Sequence, residues 1–300
     1  VEVIIQSALL QGLVYAFMVL GVFITFRVLD FPDLTVDGSL PLGAAVTAAL
    51  IAGGHSPLSA TVAGVLAGLC AGFVTGFLHL LLKSGDADST NYGPKLLAGI
   101  LTMTALYTVN LRIMGKSNVP LLGVQVIFDK IGALFSISML GWNLILGLAA
   151  LAIVVKYLLD WLLHTEFGLC LQATGDNESM IRSMGTNTNV TRIVGLGLAN
   201  ALVALSGSLV AQQQGFADVG MGIGTIVAGL AGVIMGEVLF GVRSISWVLF
   251  SVIGGSIVYR LLIAVSLRFG ISPTDLKLLT AVLVVIALSV PTVRKKVMHS

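Results

Sequence analysis

Side chains able to do covalent chemistry are few in this 300-residue chain, and they are scattered. The run "LSGSL" at 205–209 offers Ser206 and Ser208, but a serine nucleophile needs a base within hydrogen-bond reach. His55 falls in a loop, His79 near the end of an apolar run and His164 beside a polar stretch, so no histidine shares that depth. A metal site needs clustered imidazoles, thiolates or carboxylates. Cys70 and Cys170 stand apart, with neither a metal spacing nor a disulfide framework around them. No Walker-type loop is present to hold a nucleotide, so ATP and Mg, if they supply the energy, bind to another chain. Proton-driven carriers place acids or histidines inside their spans. Here Asp160 and Glu237 lie near span ends and the interior reads as almost free of acids, while Lys156 and Arg260 read as snorkelling bases. The sequence therefore points to no catalytic residue, metal ligand or bound cofactor, and a proton relay is disfavoured; a sodium site built from carbonyls stays open.

The one concentrated polar stretch is "QATGDNESMIRSMGTNTNVTR", Gln172 to Arg192. Gly175 and Asp176 break the preceding helix, and Asp176 caps a short helix starting at Asn177, with an acid at its positive end. Met180, Ile181 and Met184 fall near one face, and Glu178 and Arg182, four apart, pair on another. Gly185 stops the helix, and Asn189 caps the span that follows. The pattern is a two-turn amphipathic helix lying outside a bilayer. A solvated linker is the alternative; two methionines and an isoleucine on one face favour an adaptable docking surface instead.

The elements that must position this stretch are membrane spans. The chain is 57% hydrophobic and 10% charged, with a mean hydropathy of +1.03. A soluble domain carries about a quarter charged residues, whereas many apolar runs here reach the roughly 20 residues that cross a bilayer. The expected fold is all-α and polytopic, with about nine transmembrane helices at 3–28, 39–54, 57–82, 95–114, 142–163, 192–213, 221–241, 244–267 and 276–291. The first run is too long, and lacks the basic leader, for a signal peptide, so it reads as a retained span. The stretch 117–140 reads as a long loop with some local structure. Arg27, Lys83, Lys95, Arg182, Arg192, Arg243 and the basic run at 294–296 fall on one side, against Arg112, Lys116, Lys130, Arg268 and Lys277. That bias places the N-terminus outside, and the polar stretch and the C-terminus in the cytoplasm.

"FPDLTVDGSLPLGA" (31–44) and "FADVGMGIGTIVAG" (216–229) align with Phe31 on Phe216, Asp33 on Asp218, Leu34 on Val219 and Ser39 on Gly224. Five spans separate them, so the copies have opposite orientation, an inverted repeat of the transporter kind. The chain is thus read as one transmembrane domain, 1–300. Its first repeat covers about 3–114, a linking span 142–163, a cytoplasmic loop 164–191 and a second repeat about 192–291. Small residues in "AGVLAGLCAGFVTG" (63–76) and "GLGLANALVALSG" (195–207) serve close helix packing. Candidates for a substrate path are Thr35, Asp37 and Ser39 on the short Pro41-interrupted second segment, Thr104, Tyr107 and Asn110 on the fourth span, and Asn200 on the sixth. The alternative for each is interhelical hydrogen bonding.

The stretch "EFGLCLQATGDNESMIRSMGTNTNVTRIVGLGLANALVALSGSLVAQQQGFADVGMGIG" resembles the permease subunits of bacterial ABC importers of the branched-chain amino acid and ribose type. Thr165, Gly168, Gln172, Ala173, Asn177, Met184 and Gly185 match the family's pattern, with Gln172 in place of the usual arginine. "FRVLDFPDLTVDGSLPLGAAV" (26–46) and "GTIVAGLAGVIMGEVLFG" (224–241) resemble the tryptophan/tyrosine transport permease subgroup. The resemblance implies a multi-pass protein of the bacterial inner membrane, paired as a homodimer around a central path. Two cytosolic ATPase subunits would power it, an extracytoplasmic binding protein would deliver substrate, and nucleic acid plays no part. It also implies that Gln172, Asp176, Asn177, Glu178, Met180, Ile181, Arg182, Met184 and Gly185 form the coupling helix that meets the ATPase. The cargo implied is an aromatic or branched-chain amino acid. A ribose- or nucleoside-like solute is the alternative, followed by an ion-coupled carrier and a scaffold without transport.

Overall fold

A computed structural model describes residues 2–83, 92–128 and 142–270, together with residues 275, 278, 280–282 and 285. Most of the expected ninth span, and positions 129–140 of the expected loop, lie outside the described residues. The described helices are α1 (Glu2–Phe23, continued by a π-helical turn Ile24–Val28), α2 (Val36–Ala52), α3 (Pro57–Leu82) and α4 (Tyr92–Met114), then α5 (Trp142–His164), α6 (Glu166–Asp176), α7 (Glu178–Ser183), α8 (Thr188–Gln214), α9 (Thr225–Phe240) and α10 (Ile245–Arg268). Among the described residues, seven helical stretches are long and apolar enough to cross a membrane: Glu2–Val28, α3, α4, α5, α8, Val219–Phe240 and α10. The protein is therefore a polytopic, mostly helical membrane protein. The helix ends follow local chemistry: Ser56 caps α3 with Pro57 in its first turn, Ser244 caps α10, and Gly215, at φ +75°, ends α8. Trp142 and Trp161 stand exposed at opposite ends of α5. They lie about 28 Å apart along the axis at 1.5 Å per residue, the spacing of two interfacial aromatic belts.

The all-α expectation needs one correction. Strand β1 (Asn118–Pro120) pairs antiparallel with β2 (Phe216–Asp218), Val119 opposite Ala217. Two three-residue strands are too short to leave a periodic signal.

Helix α8 runs through the middle of the bundle, against α1, α2 and α3, while α1 packs against α10. Close approach depends on glycine. A Cβ at Gly43 would overlap the Ala204 carbonyl, one at Gly207 the Leu40 carbonyl, and one at Gly72 the Leu196 carbonyl. In lipid, such small-residue contacts replace the missing hydrophobic drive between helices.

Two connections fold back into the bundle. After the π-helical turn the chain reverses at Asp30, a left-handed non-glycine residue at φ 48°. The Phe31 amide then donates to the Thr25 carbonyl at 2.8 Å. After β2, a 3-10 turn (Val219–Gly222) packs Gly222 against the Asp37 carbonyl and Pro41. Helices α2 and α9 therefore start inside the bundle, and their first amides need partners there.

Candidate functional site

The segment α6–α7 is held at the end of the bundle where α1, α3 and α9 finish and α8 begins. Gly168 lets α6 turn tightly against the last turn of α5, since a Cβ there would overlap the Leu162 carbonyl. Gln172 Nε2 donates to the Leu163 carbonyl at 2.8 Å and so ties α6 to α5. Gly175 sits against the Val28 carbonyl and does not break the helix. Helix α6 runs through Asp176, and Asn177 takes the capping position, its Oδ1 accepting from the Met180 amide at 3.0 Å. Likewise Asn187, two residues before the expected Asn189, caps α8 by accepting from the Asn189 and Val190 amides. In both places a nearby Asx residue has the extended backbone or spacing that lets its carbonyl reach the first free amides. Gly185 has φ +87° and ends the short helix.

Met180 is 54% exposed and Met184 70%, while Ile181 is half-buried. The other side of α7 is anchored by Glu178, which is only 6% exposed. Its Oε1 accepts from Lys83 Nζ at 2.8 Å, Arg182 Nη2 at 2.7 Å and Thr188 Oγ1 at 3.2 Å. Its Oε2 lies 2.7 Å from Arg192 Nη1. The expected pair of Glu178 and Arg182 is present, but as one edge of a buried cluster instead of a solvated surface pair. Burial opposes ionisation of this carboxyl; the Lys83 hydrogen bond and the charges of Arg192, Lys83 and Arg182 outweigh it and hold its pKa at about 2. Lys83, Thr188 and Arg192 were not among the expected site residues. As sequence they are span-end residues, and only the packing of α3 on α8 brings them together. A polar cleft of about 470 Å³ opens beside α6, lined by Arg27, Gln172, Asp176, Glu237 and Arg243 among others. Across it, Arg27 grips Glu237 with two bonds of 2.8 and 2.7 Å.

The residues expected along a substrate path divide into three sets. Thr35, Ser39, Asn110 and Asn200 are fully buried inside the subunit. Thr35 and Thr75 hydroxyls meet at 2.8 Å, Ser39 donates to Asn200 Oδ1 at 2.7 Å, and Asn110 donates to the Gly38 carbonyl at 3.2 Å. They act as contacts between helices. Asn200 Nδ2 also donates to Asp33 Oδ2 at 2.7 Å, and Asp33 Oδ1 accepts from the Thr35 amide at 2.9 Å. Asp218 repeats that pattern, with Oδ1 on the Gly220 amide at 2.7 Å and Oδ2 on Asn118 Nδ2 at 3.3 Å. Thr104 and Tyr107 face outward on α4, with Tyr107 55% exposed. Asp37 caps α9: its carboxylate accepts from the Gly224 amide at 2.9 Å, the Ile226 amide at 2.8 Å and Thr225 Oγ1 at 3.0 Å.

The expectation of an almost acid-free interior is thereby corrected, because the chain reversal at 29–35 carries Asp33 and Asp37 inward from what reads as a loop. The snorkelling expectation is corrected too. Lys156 is buried and bonded to Asp160 at 2.9 Å, and the Arg260 guanidinium stacks 3.5 Å from the Tyr15 ring centroid. Removing the Asp37 carboxylate leaves the first amides of α9 unpaired. Asp37→Ala is expected to lower stability by about 1–2 kcal/mol, and Asp37→Asn by less, read as thermal unfolding of the detergent-solubilised protein.

The described residues thus form a polytopic bundle with exposed methionines on a short helix outside the long apolar helices. Over residues 4–289 the chain matches the family described as branched-chain amino acid transport system / permease component. The chain belongs to that family. It is 42% identical over 281 residues to a tyrosine transport system permease protein of Clostridioides difficile, covering 94% of this chain and 89% of that one. An uncharacterized protein of Rickettsia prowazekii is 33% identical over 292 residues, with 95% and 97% covered. An autoinducer 2 import system permease protein of Escherichia coli is 34% identical over 106 residues, 35% of this chain and 29% of that one. No solved structure matches. The chain is therefore the multi-pass permease subunit of an ABC importer, a transport component that works with ATPase and substrate-binding partners and is not itself an enzyme.

Proposed function

We propose that this permease imports an aromatic or branched-chain amino acid across the bacterial inner membrane, and that α7 is its contact with the ATPase. The observation that carries the coupling assignment is the two-sided character of α7. Met180 and Met184 stand exposed on one side, while Glu178 is buried against α3 and α8 on the other. A short helix with an adaptable apolar face and an anchored back is suited to receive force from a partner. The cargo reading is supported by the similarity to the tyrosine permease over nearly the whole chain.

In this reading nine spans run from an outside N-terminus to a cytoplasmic C-terminus. Arg27, Lys83, Lys95, Arg182, Arg192 and Arg243 gather at the α7 end, against Arg112, Lys116 and Arg268 among the described residues at the other, which supports that orientation. The matching bonds of Asp33 and Asp218 support the inverted repeat. Two copies form a homodimer, two ATPase subunits hold ATP and Mg, and an extracytoplasmic binding protein presents the substrate. The outward-facing Thr104 and Tyr107 are the candidates that line the path between copies.

The test is uptake by proteoliposomes containing the permease, its ATPase and its binding protein. Tyrosine, phenylalanine, tryptophan and leucine are compared with ribose and a nucleoside. ATP-dependent accumulation of an amino acid is expected, with none on a sodium or proton gradient alone. Uptake of ribose or nucleoside in its place would overturn the cargo, and gradient-driven uptake without ATP would overturn the energy source.

A further inference from the structure

We infer that Glu178 is the pin through which movement of α7 reaches the membrane helices, a positioning residue distinct from the docking face; this rests on α7 being the ATPase contact. Helix α7 is six residues long and exposes its methionines, so it has little apolar packing of its own to carry a load. Its charge-paired attachments to α3 and α8 run through one carboxylate, beside a hydrogen bond of 3.2 Å from Arg182 to the Thr188 hydroxyl. Lys83, at 2.8 Å, stands directly after the last turn of α3. Arg192, at 2.7 Å, is in the first turns of α8 and 4% exposed. Arg182 and Thr188 complete the cluster from α7 itself and from the first residue of α8.

Helices α3 and α8 are packed backbone to backbone, with Gly68 and Gly72 against Asn200 and Leu196. They also belong to different halves of the chain. One buried carboxylate thus joins the short helix to both halves at once. Withdrawing it would leave Lys83 and Arg192 without their anion in a largely buried setting, the costly way to break such a cluster. A displacement of α7 is therefore transmitted to the ends of α3 and α8 or else opposed by them. Neither Glu178 Oε2 nor Arg192 Nε has a hydrogen-bond partner among the described residues, so the guanidinium meets Glu178 as an ion pair across 2.7 Å.

The test uses the reconstituted importer, reading substrate taken up per ATP hydrolysed together with retention of the ATPase on the permease. Glu178→Gln is expected to keep the ATPase bound while uptake per ATP falls about tenfold or more, as for loss of a buried charge-assisted hydrogen bond. Glu178→Asp, which restores the charge, should recover part of the ratio. A wild-type ratio in Glu178→Gln would overturn the inference. Loss of the ATPase from that variant would also overturn it, because Glu178 would then belong to the docking face. Met180→Asp/Met184→Asp, run in parallel, reports on the coupling reading itself: if it retains both ATPase and uptake, that reading fails independently of Glu178. Should Glu178→Gln not accumulate in membranes, Lys83→Gln leaves Glu178 both guanidinium partners and is measured in its place. A fall of about threefold or more is then expected, and an unchanged ratio would overturn the pin.

Discussion

Replacing Met180 and Met184 together by aspartate is expected to abolish ATP-driven uptake and to release the ATPase from the purified permease. Both side chains are exposed in the isolated subunit, so the folded permease tolerates charge there and should accumulate normally in membranes. The effect appears only on assembly. An apolar anchor at the centre of an interface contributes about 2 kcal/mol or more when truncated, and an aspartate also brings an anion that must shed its water against an apolar partner. Two such losses, even with incomplete additivity, exceed about 3 kcal/mol, or more than a hundredfold in affinity. Met184→Leu, close in volume and polarity, should assemble and transport. Co-purification of the ATPase in detergent and uptake in proteoliposomes give the readout. Retained ATPase together with wild-type uptake in the double aspartate variant would remove α7 from the contact.

That expectation was readable from the sequence because its signal is local. Met180, Ile181 and Met184 share a helical face wherever the helix is placed, and Gly185 marks its end. The spans are similarly legible: α3 occupies the expected 57–82, because Ser56 and Pro57 mark its start and hydropathy carries it to Lys83. What the sequence hid is everything that depends on one span meeting another. Glu178 reads as half of an i,i+4 pair; its contacts with Lys83 and Arg192 exist only because glycines bring α3 against α8. Thr35, Ser39 and Asn200 read as path or as interhelical contacts, and only the packing brings out their hydrogen bonds between helices. Asp33 reads as a loop acid and Asp37 as a path residue on the interrupted second segment, because hydropathy cannot register a chain reversal that carries a polar segment inward. One non-local likeness is the exception. The alignment that sets Asp33 on Asp218 pairs two carboxylates that each accept from the amide two residues on.

Gly207→Val should be the most damaging single substitution inside the membrane, preventing stable accumulation of the protein altogether. The position is helical and has no unusual backbone requirement, so the argument rests on space alone. A Cβ there would overlap the Leu40 carbonyl oxygen, with the rest of that peptide close behind. The obstacle is main chain in α2, which cannot swing aside as a side chain would. Gly43, one turn along α2, makes the reciprocal approach to Ala204 of α8, so the two helices are locked at backbone distance by a matched pair of glycines. Forcing them apart also lengthens the contacts that this proximity permits: Ser208 with the Gly43 carbonyl at 3.1 Å, Ser208 with Thr47 at 2.9 Å, and Ser39 with Asn200 at 2.7 Å. Overpacking by a side chain alone costs about 1–3 kcal/mol, and each buried hydrogen bond left open adds roughly 1–3 kcal/mol. Together these approach the whole stability of an ordinary domain, about 5–15 kcal/mol. Ala150→Val is the control. That alanine also lies in a helix but is exposed, so expression and thermal stability should hold. Equal recovery of both variants from membranes would mean that α2 does not lie against α8 at backbone distance. The inward start of α2, and with it the cap that Asp37 supplies to α9, would then have to be abandoned.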